Sequence, residues 1–377
     1  MRYRPLTIGD LTSPLPIIQG GMGVGISLSG LASAVANAGG IGVIASIGIG
    51  MREQDFHSNF VEANRRALRR EIQKARALTQ GVLGLNIMVA ASNFADLVTT
   101  AIEEKIDIIF SGAGLPLNLP SFLTTDSVTK LAPIVSSARA ASLICKKWLQ
   151  KYDYLPDAFV VEGPKAGGHL GFAREQIFDE AFSLEQILPP VIEVAASYCA
   201  RYGKKIPVIV AGGIFTGGDI EHFLRLGADG VQMGTRFVAT HECDADHAFK
   251  QAYIDATEED IVIITSPVGM PGRAIKNKYL EAVDAGVKTP FGCPYHCIVT
   301  CDYTTSPYCI AHALISAQRG RFNSGFAFAG SNAYRITEII AVEELMNQLA
   351  AEYQLACAAS RHTVTDIAVT TTIERTL

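Results

Sequence analysis

Along most of the chain, short apolar runs rich in β-branched residues alternate with longer amphipathic stretches. The runs at 16–22, 41–46, 84–89, 106–111, 133–136, 158–162, 207–211 and 230–234 read as strands. Stretches such as 28–38, 59–78, 94–104, 184–201 and 218–226 read as helices. The strand runs are almost continuously hydrophobic, the pattern of strands buried on both faces, and this implies a parallel sheet with helices outside. Eight β-then-α units in about 240 residues predict an α/β fold of the TIM (β/α)8 barrel type, with a doubly wound sheet as the rival. The ends of the runs separate the two. Nearly every run closes on a glycine or a hydrogen-bonding residue: Gln19-Gly-Gly-Met22, Ser46, Asn86, Ser111-Gly-Ala-Gly114, Ser136, Glu162-Gly163, Ala211-Gly-Gly213 and Gln232-Met-Gly-Thr235. A polar ring drawn from all eight units suits the active face of a barrel, whereas a doubly wound sheet gathers such residues at one switch point.

The rhythm breaks after about residue 256. Residues 1–256 are expected to form the barrel and 257–377 a C-terminal helical cap over its mouth, without a core of its own. In that cap, 257–290 reads as irregular, with Pro267, Gly269, Pro271 and Gly272, followed by a cysteine-rich segment at 291–312.

Composition narrows the classes. With 377 residues, 49% of them hydrophobic and 18% charged, the chain has material for a large core and is unlike a disordered protein. Lys+Arg 32 against Asp+Glu 37 gives a net charge of −5, so no nucleic-acid partner is expected. Residues 11–51 carry no charge, but Pro14, Pro16, Gln19, Asn37 and ten glycines interrupt them. They read as strand, glycine loop, small-residue helix and strand, and no membrane association is expected. Eight cysteines in this length do not make a disulfide scaffold, and no signal-peptide pattern opens the chain. A cytoplasmic protein with reduced thiols is the expectation.

The candidate chemistry lies on the glycine loops. Ala211-Gly-Gly-Ile214 and Gln232-Met-Gly-Thr235 close the seventh and eighth strands, where such barrels frequently bind phosphate through backbone amides and a helix N-terminus. One glycine pair alone would be an ordinary turn; two such loops on consecutive units favour an anion site. Gly40-Ile-Gly-Val-Ile-Ala45 matches a dinucleotide fingerprint only nominally, because it lies within a strand rather than opening a helix. His169 sits in Glu162-Gly-Pro-Lys-Ala-Gly-Gly-His169, at the end of the sixth strand. An imidazole there is placed to exchange a proton near neutral pH or to hydrogen-bond a developing anion; the bland alternative is a surface-loop histidine.

Pro16-Ile-Ile-Gln-Gly-Gly-Met22, Gly84-Leu-Asn-Ile-Met88, Ser111-Gly-Ala-Gly-Leu-Pro116, Ala166-Gly-Gly-His169, Ala211-Gly-Gly-Ile214 and Gln232-Met-Gly-Thr-Arg-Phe237 occur in this order. In this the sequence resembles the nitronate monooxygenase family, formerly 2-nitropropane dioxygenase, which includes flavin-type enoyl-acyl-carrier-protein reductases. The resemblance covers roughly residues 5–280, with a weaker echo at Ala329-Gly-Ser-Asn-Ala333. It implies a barrel that binds FMN non-covalently. Gly20, Gly21, Met22 and Asn86 would then lie along the flavin ring and ribityl chain, with Gln19 supporting the same strand end. Ala166, Gly167 and Gly168 would face the flavin, and Ser136, Glu162 and Gln232 would line its surroundings. Gly212, Gly213, Gly234 and Thr235 would hold the phosphate, and His169 would be the active-site histidine.

The implied activity is oxidation of alkyl nitronates with O2, on a small-molecule substrate. The alternative is an NAD(P)H-dependent flavin reductase of enoyl thioesters, to which Arg273-Ala-Ile-Lys-Asn277 looks closer. An acidic carrier protein would need a basic patch, and the run Arg65, Arg66, Arg69, Arg70, Lys74, Arg76 is either that patch or a solvated helix face. A second alternative is a phosphate-binding barrel without redox chemistry. A homodimer is compatible with all three.

Cys293, Cys297, Cys301 and Cys309 fall within 17 residues in the pattern C-x3-C-x3-C-x7-C. If 294–300 were helical, the first three thiols would share one stripe and could ligate zinc or an iron–sulfur cluster, with His296 or His312 in reserve. Buried reduced thiols in a helical cap are the other reading, and both stay open.

Overall fold

The structure is a computed structural model that describes residues 3–288, 292–293 and 296–374. The eight apolar runs form strands β1 (Ile17–Gln19), β2 (Gly42–Ala45), β3 (Leu83–Met88), β4 (Ile108–Gly112), β5 (Lys130–Val135), β6 (Phe159–Glu162), β7 (Val208–Ala211) and β8 (Gly230–Met233). From β2 to β8 each strand pairs in parallel with its sequence neighbour, and β8 pairs in parallel with β1. The ring closes where Gln19 N–H donates to Ile41 O at 2.9 Å and Ile41 N–H donates to Ile17 O at 3.0 Å. This is a TIM barrel, and the doubly wound alternative falls.

The continuous hydrophobicity of the strands now has its cause. Ile18, Val43, Ile108, Phe110, Ala132, Val160 and Ile209 fill the barrel interior. Ile17, Ile44, Leu85, Ile109, Leu131, Val161, Val210 and Val231 face the outer helices. Alternate residues of a strand point to opposite faces, so burial on both sides removes any polar phase. An antiparallel N-terminal hairpin, Leu6–Ile8 with Leu11–Ser13, contributes Leu6, Ile8 and Leu11 to the interior cluster.

The outer helices are α1 (Ser29–Asn37), α2 (Phe60–Leu78), α3 (Phe94–Glu103), α4 (Ala138–Tyr152), α5 (Leu184–Tyr202), α6 (Gly217–Arg225), α7 (Thr235–Val238) and α8 (His247–Ile254). The fourth unit departs from the expected rhythm: only a 3-10 turn, Leu119–Phe122, follows β4. Pro116 and Pro120 lie in that connection, and proline supplies no N–H to a helix ladder. The uncharged stretch 11–51 is β1, α1 and β2, as its glycines implied. Among the described residues no helix is long and apolar enough to cross a membrane.

The segment expected to be irregular after residue 256 is instead led by a hairpin. Strands β9 (Ile261–Thr265) and β10 (Pro271–Ile275) pair antiparallel, and β10 also pairs with Gly168–His169. The β-branched run Ile261-Val-Ile-Ile-Thr265 makes the strand, while Pro267 and Gly269 belong to its turn. Helices α9 (Lys278–Asp284), α10 (Ile310–Gln318) and α11 (Val342–Glu374) follow. The cap also has an apolar cluster of its own, which was not expected: Ile264, Val268, Leu280, Ile298, Tyr308, Ile310 and Phe326. Helix α11 packs on the flank of the barrel. There Glu352 accepts from Gly217 N–H at 2.7 Å, and Tyr353 stacks on Tyr3 at 4.1 Å between ring centroids.

Candidate active site

The C-terminal ends of the barrel strands and the cap enclose one cavity of about 520 Å³. Of the sixteen residues singled out in the sequence, fifteen line it: Gly20, Gly21, Met22, Asn86, Ser136, Glu162, Ala166, Gly167, Gly168, His169, Gly212, Gly213, Gln232, Gly234 and Thr235. Gln19 does not. It is fully buried, and its Nε2 donates to Gly20 O at 2.5 Å and to Val43 O at 3.2 Å, while Oε1 accepts from Val43 N–H at 3.0 Å. It stitches β1 to β2 at the seam of the barrel, where β1 has only three residues to offer. Its amide is therefore spent on the scaffold.

The rim after β7 and β8 is made of backbone. Gly212 and Gly213 have φ of +96° and +88°, a region that disfavours side chains. A Cβ at Gly213 would also stand 2.8 Å from Lys165 Cβ. Among the described residues no hydrogen bond engages the amides of Gly212, Gly213, Gly234 or Thr235. Unsatisfied donors in a concave rim beside the start of a helix are what an anion requires. The rim is braced from the cap: Asn332 Nδ2 donates to Gly213 O at 2.7 Å, Gly330 N–H to Thr235 Oγ1 at 3.1 Å and Ser331 N–H to Lys165 O at 3.1 Å. The motif Ala329-Gly-Ser-Asn-Ala333 thus completes the rim, a role its sequence position did not disclose.

The histidine side is made of side chains. His169 shares a hydrogen bond of 2.7 Å between Nε2 and Ser266 Oγ, and its ring lies 5.0 Å from that of Phe328. Burial under the cap lowers its pKa to about 4. The imidazole is therefore neutral near pH 7, which corrects the expectation of a proton exchanger poised at neutrality. Arg273 on β10 is buried, and its Nη1 donates to Pro164 O and Ala166 O, both at 2.6 Å. It fastens the glycine loop that carries His169. Ser266 and Phe328 carried no signal in the sequence, and Arg273 was noticed only as part of a motif. Glu162, at the end of β6, has no hydrogen-bond or ion-pair partner among the described residues, and burial pushes its pKa up to about 7. An unpartnered carboxyl facing a cavity is matched by a polar ligand edge.

The arginine run on α2 is not a free basic patch. Arg66 pairs with Glu53 and Asp55, Arg69 with Glu103 and Glu104, Arg70 with Glu53 and Arg76 with Asp107.

Barrel, amide rim and cavity together define an α/β barrel with its candidate site at the C-terminal ends of the strands. The sequence profile of the nitronate monooxygenase family matches residues 5–107 and 91–352, and the chain belongs to that family of oxidoreductases, whose members are in general flavoproteins. Over 271 residues it is 30% identical to the (3aS,4S,5R,7aS)-5-hydroxy-7a-methyl-1-oxo-octahydro-1H-indene-4-carboxyl-CoA dehydrogenase of Mycobacterium tuberculosis, covering 72% of this chain and 66% of that protein. It is 27% identical to the nitronate monooxygenase of Paraburkholderia phytofirmans over 373 residues, 89% of this chain and 92% of the relative. Among solved structures, FabK of Thermotoga maritima superposes with a TM-score of 0.71 at 27% identity, over 92% of this chain and 95% of that one.

Proposed function

We propose that the protein is an FMN-dependent oxidoreductase that oxidises small alkyl nitronates with O2. The observation that carries this reading is the pairing, in one cavity, of an unsatisfied amide rim with a neutral, hydrogen-bonded imidazole. The residues fit FMN. Gly212, Gly213, Gly234 and Thr235 would hold its phosphate; Gly20, Gly21, Met22 and Asn86 its ring and ribityl chain; Ala166, Gly167 and Gly168 its face. Ser136, Glu162 and Gln232 supply polar groups along the wall. FMN, when bound, takes electrons from the substrate and passes them to oxygen.

The chain's own residues bind and orient. A neutral imidazole donates one N–H to a nitronate oxygen without presenting a second positive charge, and Ser266 fixes the ring for that task. With its pKa near 4, His169 is a weak base, so an already ionised nitronate suits it better than a neutral nitroalkane. Met270, Ile298, Leu314 and Phe328 of the cap give the cavity an apolar side, which would limit water beside the reacting groups.

The second reading is reduction of an enoyl thioester with NAD(P)H. The likeness to FabK and to a dehydrogenase acting on a CoA thioester favours it, while the ion-paired α2 face argues against docking of an acidic carrier protein. Purified protein should carry FMN and consume oxygen with propyl-2-nitronate in the absence of nicotinamide. Anaerobic bleaching by NADPH, reversed by crotonyl-CoA, with no nitronate-driven oxygen uptake, would reverse the order of the two readings. A third reading, phosphate binding without redox chemistry, has only the rim in its favour.

A further inference from the structure

The cysteine segment is not the helical stripe that its spacing allowed. Pro294 and Tyr295 lie outside the described residues, and 296–300 contains a β-bridge and a turn but no helix. Yet Cys293, Cys297, Cys301 and Cys309 all line one small pocket, together with His296, Ile298, Tyr303 and Ile310. All four are free thiols. Half of the chain's cysteines therefore converge on one point without forming a disulfide, in a stretch with little regular structure to hold it. The backbone docks on the barrel through Ser92 N–H to Cys297 O at 3.1 Å and Val299 N–H to Ala90 O at 2.9 Å.

We propose that Cys293, Cys297, Cys301 and Cys309 are the thiolate ligands of an iron–sulfur cluster that staples this lobe of the cap. A single zinc ion with bonds of roughly 2.3 Å would need its sulfurs roughly 3.8 Å apart. Among the described residues, no three His, Cys, Asp or Glu side chains are gathered tightly enough to hold one metal ion. Thiols arranged around a pocket but more widely spaced suit a polynuclear cluster, whose metals stand between the sulfurs. Each thiol gives up its proton to solvent on ligation.

The position gives the cluster a consequence for the enzyme. Cys297, Ile298 and Ile310 line both this pocket and the large cavity. Ligation would fix the part of the cap wall that substrate meets, whichever substrate that is, so the proposal stands apart from the nitronate reading.

The test is iron, acid-labile sulfide and zinc analysis of the full chain, purified anaerobically and reconstituted with ferrous iron and sulfide. Iron and sulfide in equal amount, with a low-temperature EPR signal after dithionite reduction distinct from a flavin radical, is the expected result. Cys301→Ala combined with Cys309→Ala should abolish iron binding while FMN content persists; Cys199→Ala, outside the lobe, should leave the iron in place. Zinc in place of iron after reconstitution would overturn the proposal, as would folded, flavin-loaded protein that takes up neither metal. Retention of iron by the double variant would overturn the ligand assignment.

Discussion

The two walls of the cavity are built on different principles. The rim after β7 and β8 presents backbone amides, aimed by strand register and by two glycines in the left-handed region. The His169 wall presents side chains, aimed by contacts from a cap hairpin about a hundred residues away in sequence, such as Ser266, which is 97 residues from His169. A backbone site fails when φ is denied to it. A side-chain site fails when its distant supports are removed, even if the reactive group is untouched.

The largest effect is expected at the side-chain wall. His169→Ala should lower kcat/KM by about 10²–10³-fold, the cost of losing one oriented hydrogen-bond donor in a largely buried site, while FMN content stays near normal. Equal loss of flavin would assign His169 to the cofactor and erase the distinction between the walls. The pH profile sharpens the point. With a pKa of about 4, the imidazole should produce no titration in kcat/KM between about pH 5 and 8, and an inflection near 6.5 would show that burial does not hold it neutral.

Next comes a support. Arg273→Met strips the hydrogen bonds from two buried carbonyls, Pro164 O and Ala166 O, and should cost roughly 2–4 kcal/mol in denaturant unfolding. Activity should fall with it although Arg273 itself is absent from the cavity lining, and unchanged kinetics would mean that the loop holds His169 unaided.

At the backbone wall, Gly213→Val places a β-branched residue at φ of +88°, with its Cβ against Lys165. Strain of about 1–3 kcal/mol should weaken FMN binding by about 5- to 150-fold, measured by fluorescence titration, with the remaining holoenzyme turning over normally. Retained affinity would remove the amide rim from the site.

The smallest effect is at Glu162, where the two walls meet. Burial lifts its pKa from the ordinary carboxyl value of 4.5 to about 7. The stability associated with the neutral carboxyl is thus present below pH 4.5 and is lost as pH rises through 7. Glu162→Gln should remove that loss and stabilise the FMN-free protein at pH 8 by about 1 kcal/mol, a figure reduced for the open side of the cavity. No change in the pH dependence of thermal unfolding would mean that the carboxyl is already ionised or solvated.

Much of this molecule could be read along the chain. Burial of a strand on both faces leaves a local imprint, continuous apolar runs such as Ile17-Ile18 and Phe159-Val-Val161, and the polar or glycine residue that ends each run marks the mouth. Left-handed backbone at Gly212 and Gly213 is likewise a local demand, which a Gly-Gly pair meets. These features fixed the barrel, the position of the rim and the presence of His169 in the cavity. The hairpin β9–β10 was legible in its β-branched run but was obscured by the prolines and glycines around its turn.

What the chain alone left open depends on partners far apart in sequence. The neutral state of His169 follows from burial under the cap, and the anchoring role of Arg273 follows from carbonyls 107 and 109 residues away. Gln19 reads as a rim residue until its amide is seen bridging β1 to residue 43 at the seam. The spacing of the four cysteines left metal binding and buried thiols both open, and their convergence on one pocket appears only in the fold. Local propensity and polarity are written residue by residue, whereas burial and hydrogen-bond partnership belong to pairs, and only the folded chain decides which pairs meet.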